Sequence, residues 1–237
     1  MIRKRILIAC ERSGIVRERF RALGHDAWSC DIEPAEDASP FHYRGDVLEL
    51  LEQCSTDPEF WPPFDMMIAH PECRYLSSSG IHWNRRRPER AAETEAAAEF
   101  ALALWNAPVR LVALENPVGI LSTRLRKPDQ IIQPYQFWEN ASKGTCLWLR
   151  GLPPLRGTSY FPPRMVCSEC KGVSPYLAGG RWCPHCGAEP DRLKPRWGNQ
   201  TDSGQNRLGP SPTRSMDRAR TYPGIADAMA TQWSPIL

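Results

Sequence analysis

The chain lacks several features that would assign it to a class at once. It contains no apolar run near the ~20 residues of a membrane-spanning helix. The apolar stretch at residues 6–9 is too short for a signal-peptide core and has no cleavage site. We therefore expect a cytoplasmic protein without membrane association. The net charge of +3 permits a nucleic-acid partner but does not require one.

Cysteine is abundant, with nine residues in a chain of 237. Disulfides are rare in cytosolic proteins, so metal binding or catalysis is the expected use. Four of these residues form two CxxC pairs, each closely followed by glycine: Cys167, Cys170, Cys183 and Cys186. This spacing predicts a zinc ribbon, in which backbone N–H groups point at the sulfurs and glycine permits the positive φ after each pair. His185 is not expected to be a ligand, and the presence of two pairs disfavours a redox site.

The N-terminal region reads as a strand, a turn, a helix and a second strand. Residues 5–9 form a buried apolar run, 15–23 an amphipathic helix, and 25–30 a strand that ends at Asp31. This order is the opening of a parallel α/β sheet. The turn lacks the GxGxxG dinucleotide fingerprint. It can still offer backbone N–H groups to a ligand at a helix N-terminus.

Two acids follow turns in this region. Asp31, after the second strand, has the position of an acid that binds the hydroxyls of a ribose. Asp46 precedes a short predicted helix at 48–53. The alternative for Asp31 is a solvated strand end or a cap, and for Asp46 it is a helix N-cap.

The most informative stretch begins with a short apolar strand at 66–69 and continues through Pro71 to Cys73 and a loop of small polar residues. Such a strand presents a thiolate nucleophile at the open edge of a sheet, although a buried packing cysteine is the alternative. A predicted strand at 110–114 runs into Glu115, one crossover later. Glu115 should therefore lie at the same sheet edge, where a carboxylic acid and a thiol make a proton donor and a nucleophile.

The remaining elements carry weaker signals. Arg85, Arg86 and Arg87 precede a helix at 89–106, either as phosphate contacts or as a solvated helix entry. Trp83 either stacks on a base or packs in the ordinary way. The residues at 131–139 and 146–150 predict strands, and those at 225–233 predict a helix with a core-packing face.

In this order, the motifs resemble those of the DNA cytosine-5 methyltransferase family, in a compact form typical of phages and prophages. Residues 71–73 with 78–80 look like the family's Pro-Cys nucleophile motif and its mobile loop, and 115–118 look like its Glu-Asn-Val motif. Residues 217–223 and 225–230 are similar to its last motifs. The chain departs from the pattern at Glu72, which separates proline from cysteine. It also lacks an evident Gln-x-Arg-x-Arg motif, whose place Lys143 or Arg150 takes.

The resemblance implies a Rossmann-like α/β methyltransferase sheet with a small zinc-ribbon insertion. It implies a catalytic core at 1–150, a small target-recognition region at 151–200 with the ribbon at 167–187, and a C-terminal segment at 201–237 that returns to the core. The implied cofactors are S-adenosylmethionine and Zn²⁺. The implied partner is double-stranded DNA with a flipped-out base, and we expect a monomer or a weak dimer.

Roles for individual residues follow from the same resemblance. Cys73 would attack C6 of cytosine and Glu115 would protonate N3. Residues implied in cofactor binding are Ala9, Glu11, Ser13, Gly14, Asp31, Ile32, Asp46, His70 and Pro71. Residues implied in nucleic-acid contacts are Arg74, Ser78, Arg85, Arg86, Arg87, Lys143 and Arg150.

Two other functions stay open at this point. The same cysteine and glutamate chemistry serves C5 modification of uracil, RNA or a free nucleotide. A different class is a non-catalytic DNA-binding protein in which the ribbon and the arginines are the working surface. The presence of both Cys73 and Glu115 favours an enzyme, because a degenerate copy would be expected to have lost one of them.

Overall fold

The computed structural model describes residues 2–59, 62–175, 182–211 and 214–237. The chain forms two compact units: the first comprises 1–132, 144–156 and 218–237, and the second comprises 133–143 and 157–217. Among the described residues, no helix combines the length and the apolarity that a membrane crossing requires.

The first unit is built on a seven-stranded sheet in the spatial order β3-β2-β1-β4-β5-β7-β6. Its strands are β1 Arg5–Ala9, β2 Asp26–Asp31, β3 His42–Arg44, β4 Met66–Ala69, β5 Leu111–Pro117, β6 Gln130–Ile132 and β7 Thr145–Arg150. The pairs among the first five strands are parallel, whereas β7 runs antiparallel to β5 and β6. The order 3-2-1-4-5 is that of a Rossmann-like sheet, and it reverses direction between β1 and β4. The α/β class predicted from the sequence is confirmed.

Seven α-helices accompany the strands in the described part of the chain. They are α1 Ile15–Ala22, α2 Val47–Thr56, α3 Ser78–Ile81, α4 Pro88–Asn106, α5 Leu121–Arg124, α6 Arg214–Ala219 and α7 Pro223–Trp233. The long helix α4 starts with proline at its first position, where the missing N–H is no loss. The C-terminal helix α7 packs against α1 through a buried face that includes Ile225, Met229 and Trp233, as its spacing predicts.

The core explains why the central strands are such continuous apolar runs. Every residue of β4 is buried, and four of the five residues of β1 are buried. A parallel sheet is covered on both faces, so its inner strands do not alternate between polar and apolar residues. This is why the boundaries of β1 and β4 coincide with the predicted runs at 5–9 and 66–69.

One predicted strand is wrong over most of its length. Residues 131–139 were expected to be extended, but β6 ends at Ile132 and a 3₁₀ turn follows at Pro134–Gln136. Proline has no N–H for a ladder bond, so the strand stops before Pro134. Gln133 and Gln136 then cap the turn reciprocally.

The second unit contains a three-stranded antiparallel sheet in the order β10-β8-β9. Its strands are β8 Arg164–Cys167, β9 Val173–Pro175 and β10 Leu193–Arg196. Among the described residues, the buried cluster beside these strands consists of Cys167, Cys183 and Leu193. Residues 176–181, which fall inside the predicted ribbon, lie outside the described residues.

Candidate active site

The carboxyl ends of β4 and β5 bring two titratable side chains together. The parallel register pairs Ala69 with Leu114, so the next residues, His70 and Glu115, are neighbours. His70 Nδ1 lies 3.0 Å from Glu115 Oε2, and their side chains are only 8 % and 13 % exposed. The His70 backbone N–H also donates to the carbonyl of Ala9 at the end of β1. The pair is therefore fixed at the point where the strand order reverses.

The loop that carries Cys73 is tied to the Glu115 strand. Asn116 Nδ2 donates to the carbonyl of Pro71 at 2.8 Å. Within the loop, the backbone N–H groups of Leu76 and Ser77 both donate to the carbonyl of Cys73. Cys73 itself is partly buried. These bonds place Cys73 in a tight turn, two residues after the point where the loop is tied to β5.

A second set of bonds joins the same two segments further along. Ser78 N–H donates to Val118 O at 3.0 Å, and Ile120 N–H donates to Leu76 O at 2.9 Å. The backbones approach so closely that a Cβ at Gly119 would clash with the carbonyl of Leu76. The segment after Cys73 and the segment after Glu115 are thus held as one piece of structure.

Two features decide which cysteine at this edge can act as a nucleophile. Burial raises the pKa of Cys146 to about 11, and the Glu115 carboxylate acts in the same direction. Cys146 is also completely shielded from solvent inside β7, so it is a packing residue. Glu72, the residue that departs from the family pattern, is exposed. Water therefore screens its charge.

The loop after β1 contains a residue with a positive φ and a buried carboxylate at the start of α1. Cys10 takes a positive φ of 60°, a conformation that non-glycine residues adopt at strained and functional positions. The buried carboxylate of Glu11 accepts the N–H groups of Val16 at 2.8 Å and Arg17 at 3.2 Å. These are the donors at the start of α1 that would otherwise bind a phosphate. The loop therefore disfavours a dinucleotide and favours a ligand without phosphates.

Acidic residues surround the next two strand ends. Burial raises the pKa of Cys30 to about 12, with Asp31 and Asp46 acting in the same direction, so both carboxylates lie near this thiol. Burial likewise raises the pKa of Cys10, with Asp31 as the next cause. Asp31 accepts the N–H of Glu33, and Asp46 caps α2 through the N–H of Leu48 at 2.7 Å. The capping alternative for Asp46 is thus observed, and each bond engages only one carboxylate oxygen.

The other predicted cofactor residues lie around the same strand ends. Ala9 is fully buried at the end of β1, and Ser13 Oγ donates to Glu11 Oε1. Gly14 takes a φ of +71° at the start of α1. Ile32 follows β2 with 70 % of its surface exposed, and Pro71 is buried after β4. An exposed apolar side chain beside two carboxylates suits a ligand with an aromatic ring and hydroxyl groups.

The C-terminal segment reaches this side of the sheet. Arg220 donates to Glu36 Oε2 at 2.6 Å, and Glu36 also lies 3.6 Å from the guanidinium of Arg12. The Glu36 backbone N–H donates to the carbonyl of Arg12. The stretch at 217–223 is therefore joined, through Arg220, to the loops that follow β1 and β2.

The predicted nucleic-acid residues form an arginine-rich surface beside the Cys73 loop. Its exposed members are Arg74, Ser78, Arg85, Arg86 and Arg87. Aromatic rings organise the cations, because Arg74 lies over Tyr75 and both Arg86 and Arg87 lie within 6 Å of the Trp83 ring centroid.

The sequence interpretation missed Arg90. Its guanidinium lies 4.8 Å from the Tyr75 ring centroid and donates to the carbonyls of Arg74 and Gly80. Thr94, one turn later on α4, donates to the carbonyl of Arg90 at 2.9 Å and to that of Tyr75 at 3.3 Å. The spacing of four residues on a helix that follows the loop is the signal that could have identified them.

Arg150 and Lys143 differ from the other residues predicted to contact nucleic acid. The guanidinium of Arg150 donates to the carbonyls of Trp105, Ala107 and Val109 at 2.6–2.8 Å. These bonds satisfy carbonyls at and beyond the C-terminus of α4, so Arg150 has a structural role, and its predicted contact with nucleic acid stays a prediction. Lys143 belongs to the second unit, where its backbone N–H donates to Gln133, and its predicted role stays a prediction.

The four predicted metal ligands come together in the second unit. The sulfurs of Cys167, Cys170, Cys183 and Cys186 all lie within 4.8 Å of one another. Two of the separations are 3.7 and 3.8 Å. A tetrahedron with zinc–sulfur bonds of about 2.3 Å has edges of about 3.8 Å, so the arrangement is compatible with zinc binding. All nine cysteines lie in the described part of the chain and none forms a disulfide.

The turns around the sulfurs follow the prediction in one half and depart from it in the other. Gly187, directly after Cys186, takes a φ of +72° as expected. After Cys170 it is Lys171, and not the glycine, that takes the positive φ. Gly172 serves a different purpose: its N–H donates to Cys170 Sγ, and a Cβ there would clash with the ring of His185.

No protein-family model and no curated protein matches the chain. Among solved structures it is similar to a DNA modification methyltransferase encoded within an E. coli prophage, with 14% identity and a TM-score of 0.41 over 62% of this chain and 46% of that one. It is also similar to the Dnmt2 methyltransferase of S. pombe, with 14% identity and a TM-score of 0.39 over 63% of this chain and 50% of that one. The chain thus spans about half the length of both structures. At these values the likeness carries no argument about activity.

Proposed function

We propose that this protein is a DNA cytosine-5 methyltransferase that uses Cys73 as its nucleophile. The observation that supports the proposal is the clamp between two strand ends. The Cys73 loop is bonded to the end of β5, which carries Glu115, at the edge of the sheet where the strand order reverses. Ligands of open α/β sheets bind in the crevice at this edge. A thiol and a carboxyl group on two segments that are bonded together there are suited to covalent attack on an electrophilic ring.

The residues have complementary tasks in the reaction. C5 of cytosine is a weak carbon nucleophile, and addition of the Cys73 thiolate to C6 gives C5 enamine character. The new bond pushes electrons onto N3, where Glu115 delivers a proton. After C5 has gained its methyl group, its proton leaves to a base, the C5–C6 double bond re-forms, and Cys73 departs as a thiolate. As the ring regains its aromatic form, N3 gives its proton back to Glu115, so both side chains return to their starting states.

The methyl donor that fits the cofactor side is S-adenosylmethionine, which supplies a methyl group on a sulfonium centre. Asp31 would bind the ribose hydroxyls, and Asp46 and Ile32 would hold the adenine. Glu11 occupies the helix N-terminus that a pyrophosphate would need. The acidic surroundings suit a cofactor that carries positive charge and no phosphate.

DNA is the proposed substrate because of the surface beside the Cys73 loop. A cytosine inside a duplex is out of reach, so it must be rotated out of the stack at a cost of a few kcal/mol. Arg74, Arg85, Arg86 and Arg87 are exposed next to the loop and suited to phosphate contacts. The partly exposed ring of Trp83 adds a face on which a base can stack.

The second unit is the part that we propose reads the target sequence. It presents exposed aromatic side chains, Trp138 and Tyr160, which suit stacking against bases. Zinc bound by the four cysteines would cross-link its small sheet, which has little apolar support of its own among the described residues.

Bisulfite sequencing of DNA from an expressing host would identify the target. Modification of that site would protect the DNA from restriction.

The decisive test is covalent trapping on DNA that contains 5-fluorocytosine. Fluorine at C5 cannot leave as a proton, so the adduct with Cys73 should persist in the presence of S-adenosylmethionine and survive denaturing electrophoresis. Cys73→Ser should abolish the adduct. Cys54→Ser, a change at another cysteine of the first unit, should keep it. Absence of an adduct on long DNA of varied sequence, while the protein still binds the cofactor, would contradict the proposal. An adduct with RNA alone would move the activity to that substrate.

A further inference from the structure

The hydrogen bond between His70 and Glu115 engages only one of the two ring nitrogens of His70. His70 Nδ1 is 3.0 Å from the glutamate, but its other ring nitrogen, Nε2, is buried and has no hydrogen-bond partner among the described residues. The adjacent Asn116 has the same property: its Nδ2 holds Pro71, while its buried Oδ1 has no partner in the described chain. Buried polar groups are normally paired, and exceptions are frequent at catalytic sites.

The position of the pair links it to the chemistry proposed for Glu115. An ionised carboxylate can accept a proton but cannot donate one, so a lone glutamate at neutral pH is a poor donor to N3. An imidazole gains and loses a proton near neutral pH. Held against Glu115, it lets the two groups together carry one transferable proton at zero net charge, whichever of the two atoms bears it.

We propose that His70 is a positioning residue for Glu115 and that the His70–Glu115 pair stores the proton that cytosine N3 receives. The proton passes from Glu115 to N3 as the Cys73 sulfur bonds to C6. It returns to the pair when the sulfur leaves and the ring regains its aromatic form, so nothing is consumed. The inference rests on the proposed methyltransferase function and replaces the expectation, drawn from the resemblance, that His70 binds the cofactor.

A cofactor-free reaction isolates this step. Addition of Cys73 to C6 with protonation of N3 makes C5 exchange its hydrogen with water, so tritium placed at C5 of cytosine is released even without a methyl donor. The probe is a long duplex of varied sequence with tritiated cytosines. The amide that His70→Asn introduces offers an N–H donor near the Nδ1 position but no transferable proton. We expect this variant to release tritium at least 10-fold more slowly than the wild type, within the range that general acid catalysis contributes.

The affinity for S-adenosylmethionine, measured by calorimetry, should stay within about 2-fold of the wild type. A double-mutant cycle gives the second readout, because two residues that act through one another are not additive. In a Glu115→Gln background, His70→Asn should lower tritium release by less than 2-fold further.

The chain offers a matched control in His25. This histidine is also buried, bonds to one side-chain oxygen (that of Ser234) and has a second ring nitrogen without a partner in the described chain. It lies just before the amino end of β2, whereas the site is at the carboxyl ends of the strands. His25→Asn should lower the melting temperature about as much as His70→Asn while leaving tritium release unchanged.

The alternatives give distinct results. If His70→Asn weakens cofactor binding and leaves tritium release intact, His70 is a cofactor residue and the inference is overturned. It is equally overturned if the two changes are additive in the cycle, or if His25→Asn lowers release as much. If the wild type itself releases no tritium and forms no adduct with 5-fluorocytosine, the proposed function fails, and the inference fails with it.

Discussion

The sheet-edge site of the first unit and the four-cysteine cluster of the second are held in place by different forces. Around the site, β1, β4 and β5 belong to a buried core that includes Met67, Leu114 and Trp148. Around the four sulfurs, the hydrophobic cluster of buried residues consists of Cys167, Cys183 and Leu193, two of which are themselves predicted ligands. The first site is therefore supported by apolar packing, whereas we propose that the second depends on bonds from its sulfurs to a metal.

This difference determines which unit can tolerate buried polar atoms without partners and strained backbone. Buried atoms of His70 and Asn116 without a described partner, and a positive φ at Cys10, each destabilise the fold. They persist in the first unit because a large core surrounds them. The hydrophobic cluster beside the sulfurs is small, and N–H groups there support the sulfurs, as Gly172 supports Cys170. A catalytic site needs the first kind of support, and a structural metal site manages with the second.

Removal of the metal should reveal the largest difference between the two units. A chelator should unfold β8, β9 and β10 and leave the seven-stranded sheet folded. Zinc binding contributes roughly 10 kcal/mol or more to small metal-dependent folds, whereas burying one apolar side chain contributes only about 1.5–3 kcal/mol. Hydrogen exchange followed by mass spectrometry should show lost protection for residues 164–167 and 193–196 and retained protection for 66–69 and 111–117.

The same result should follow from mutation. The purified protein should contain about one zinc per chain, and the double variant Cys167→Ser, Cys170→Ser should contain none. Cys54→Ser, which alters a cysteine in α2, should retain the full equivalent. A full equivalent of zinc in the double variant, or a protected β8 after chelation, would show that the cluster is not a metal site or that packing alone supports it.

The comparison also explains what could be predicted from the sequence. The strands β1 and β4 are continuous apolar runs bounded by polar residues, and a buried parallel strand leaves that mark on the sequence. The four cysteines can be recognised as a metal site from the sequence, because the two residues of each pair are only three positions apart. Such signals are local, and local signals can be read without knowing the fold.

Contacts that depend on the register between strands could not be predicted from the sequence. The bond between His70 and Glu115 joins residues 45 positions apart and depends on which residues of β4 and β5 face each other. Arg150 looked like a cation for phosphate, but its partners are carbonyls more than 40 residues earlier in the chain. Its charge was visible in the sequence, whereas the carbonyl groups that use it were not.

A smaller effect is expected from Gly119→Ala, which adds one methyl group where the Cys73 and Glu115 segments meet. The new Cβ would clash with the backbone carbonyl of Leu76, which cannot move without shifting the loop. Overpacking of this kind typically costs about 1–3 kcal/mol, and a 1 Å displacement of a reacting group lowers rates by about 100-fold. Adduct formation on 5-fluorocytosine DNA should slow far more than the melting temperature suggests. Gly209→Ala, at a glycine with open space around it, should change neither quantity.

The smallest effect is expected from the same substitution at Gly187 in the second unit. No described atom lies within 4 Å of a Cβ at this position, so the only penalty is the φ of +72°. An alanine in this conformation costs roughly 1 kcal/mol, which corresponds to about a 5-fold loss of zinc affinity. Competition with a chromophoric chelator measures the loss. Gly187→Asn should lose less, because asparagine tolerates the left-handed region better than alanine. Equal losses for both variants would mean that the side chain meets an obstacle and not a backbone penalty. The cluster would then depend on packing, as the sheet-edge site does at Gly119.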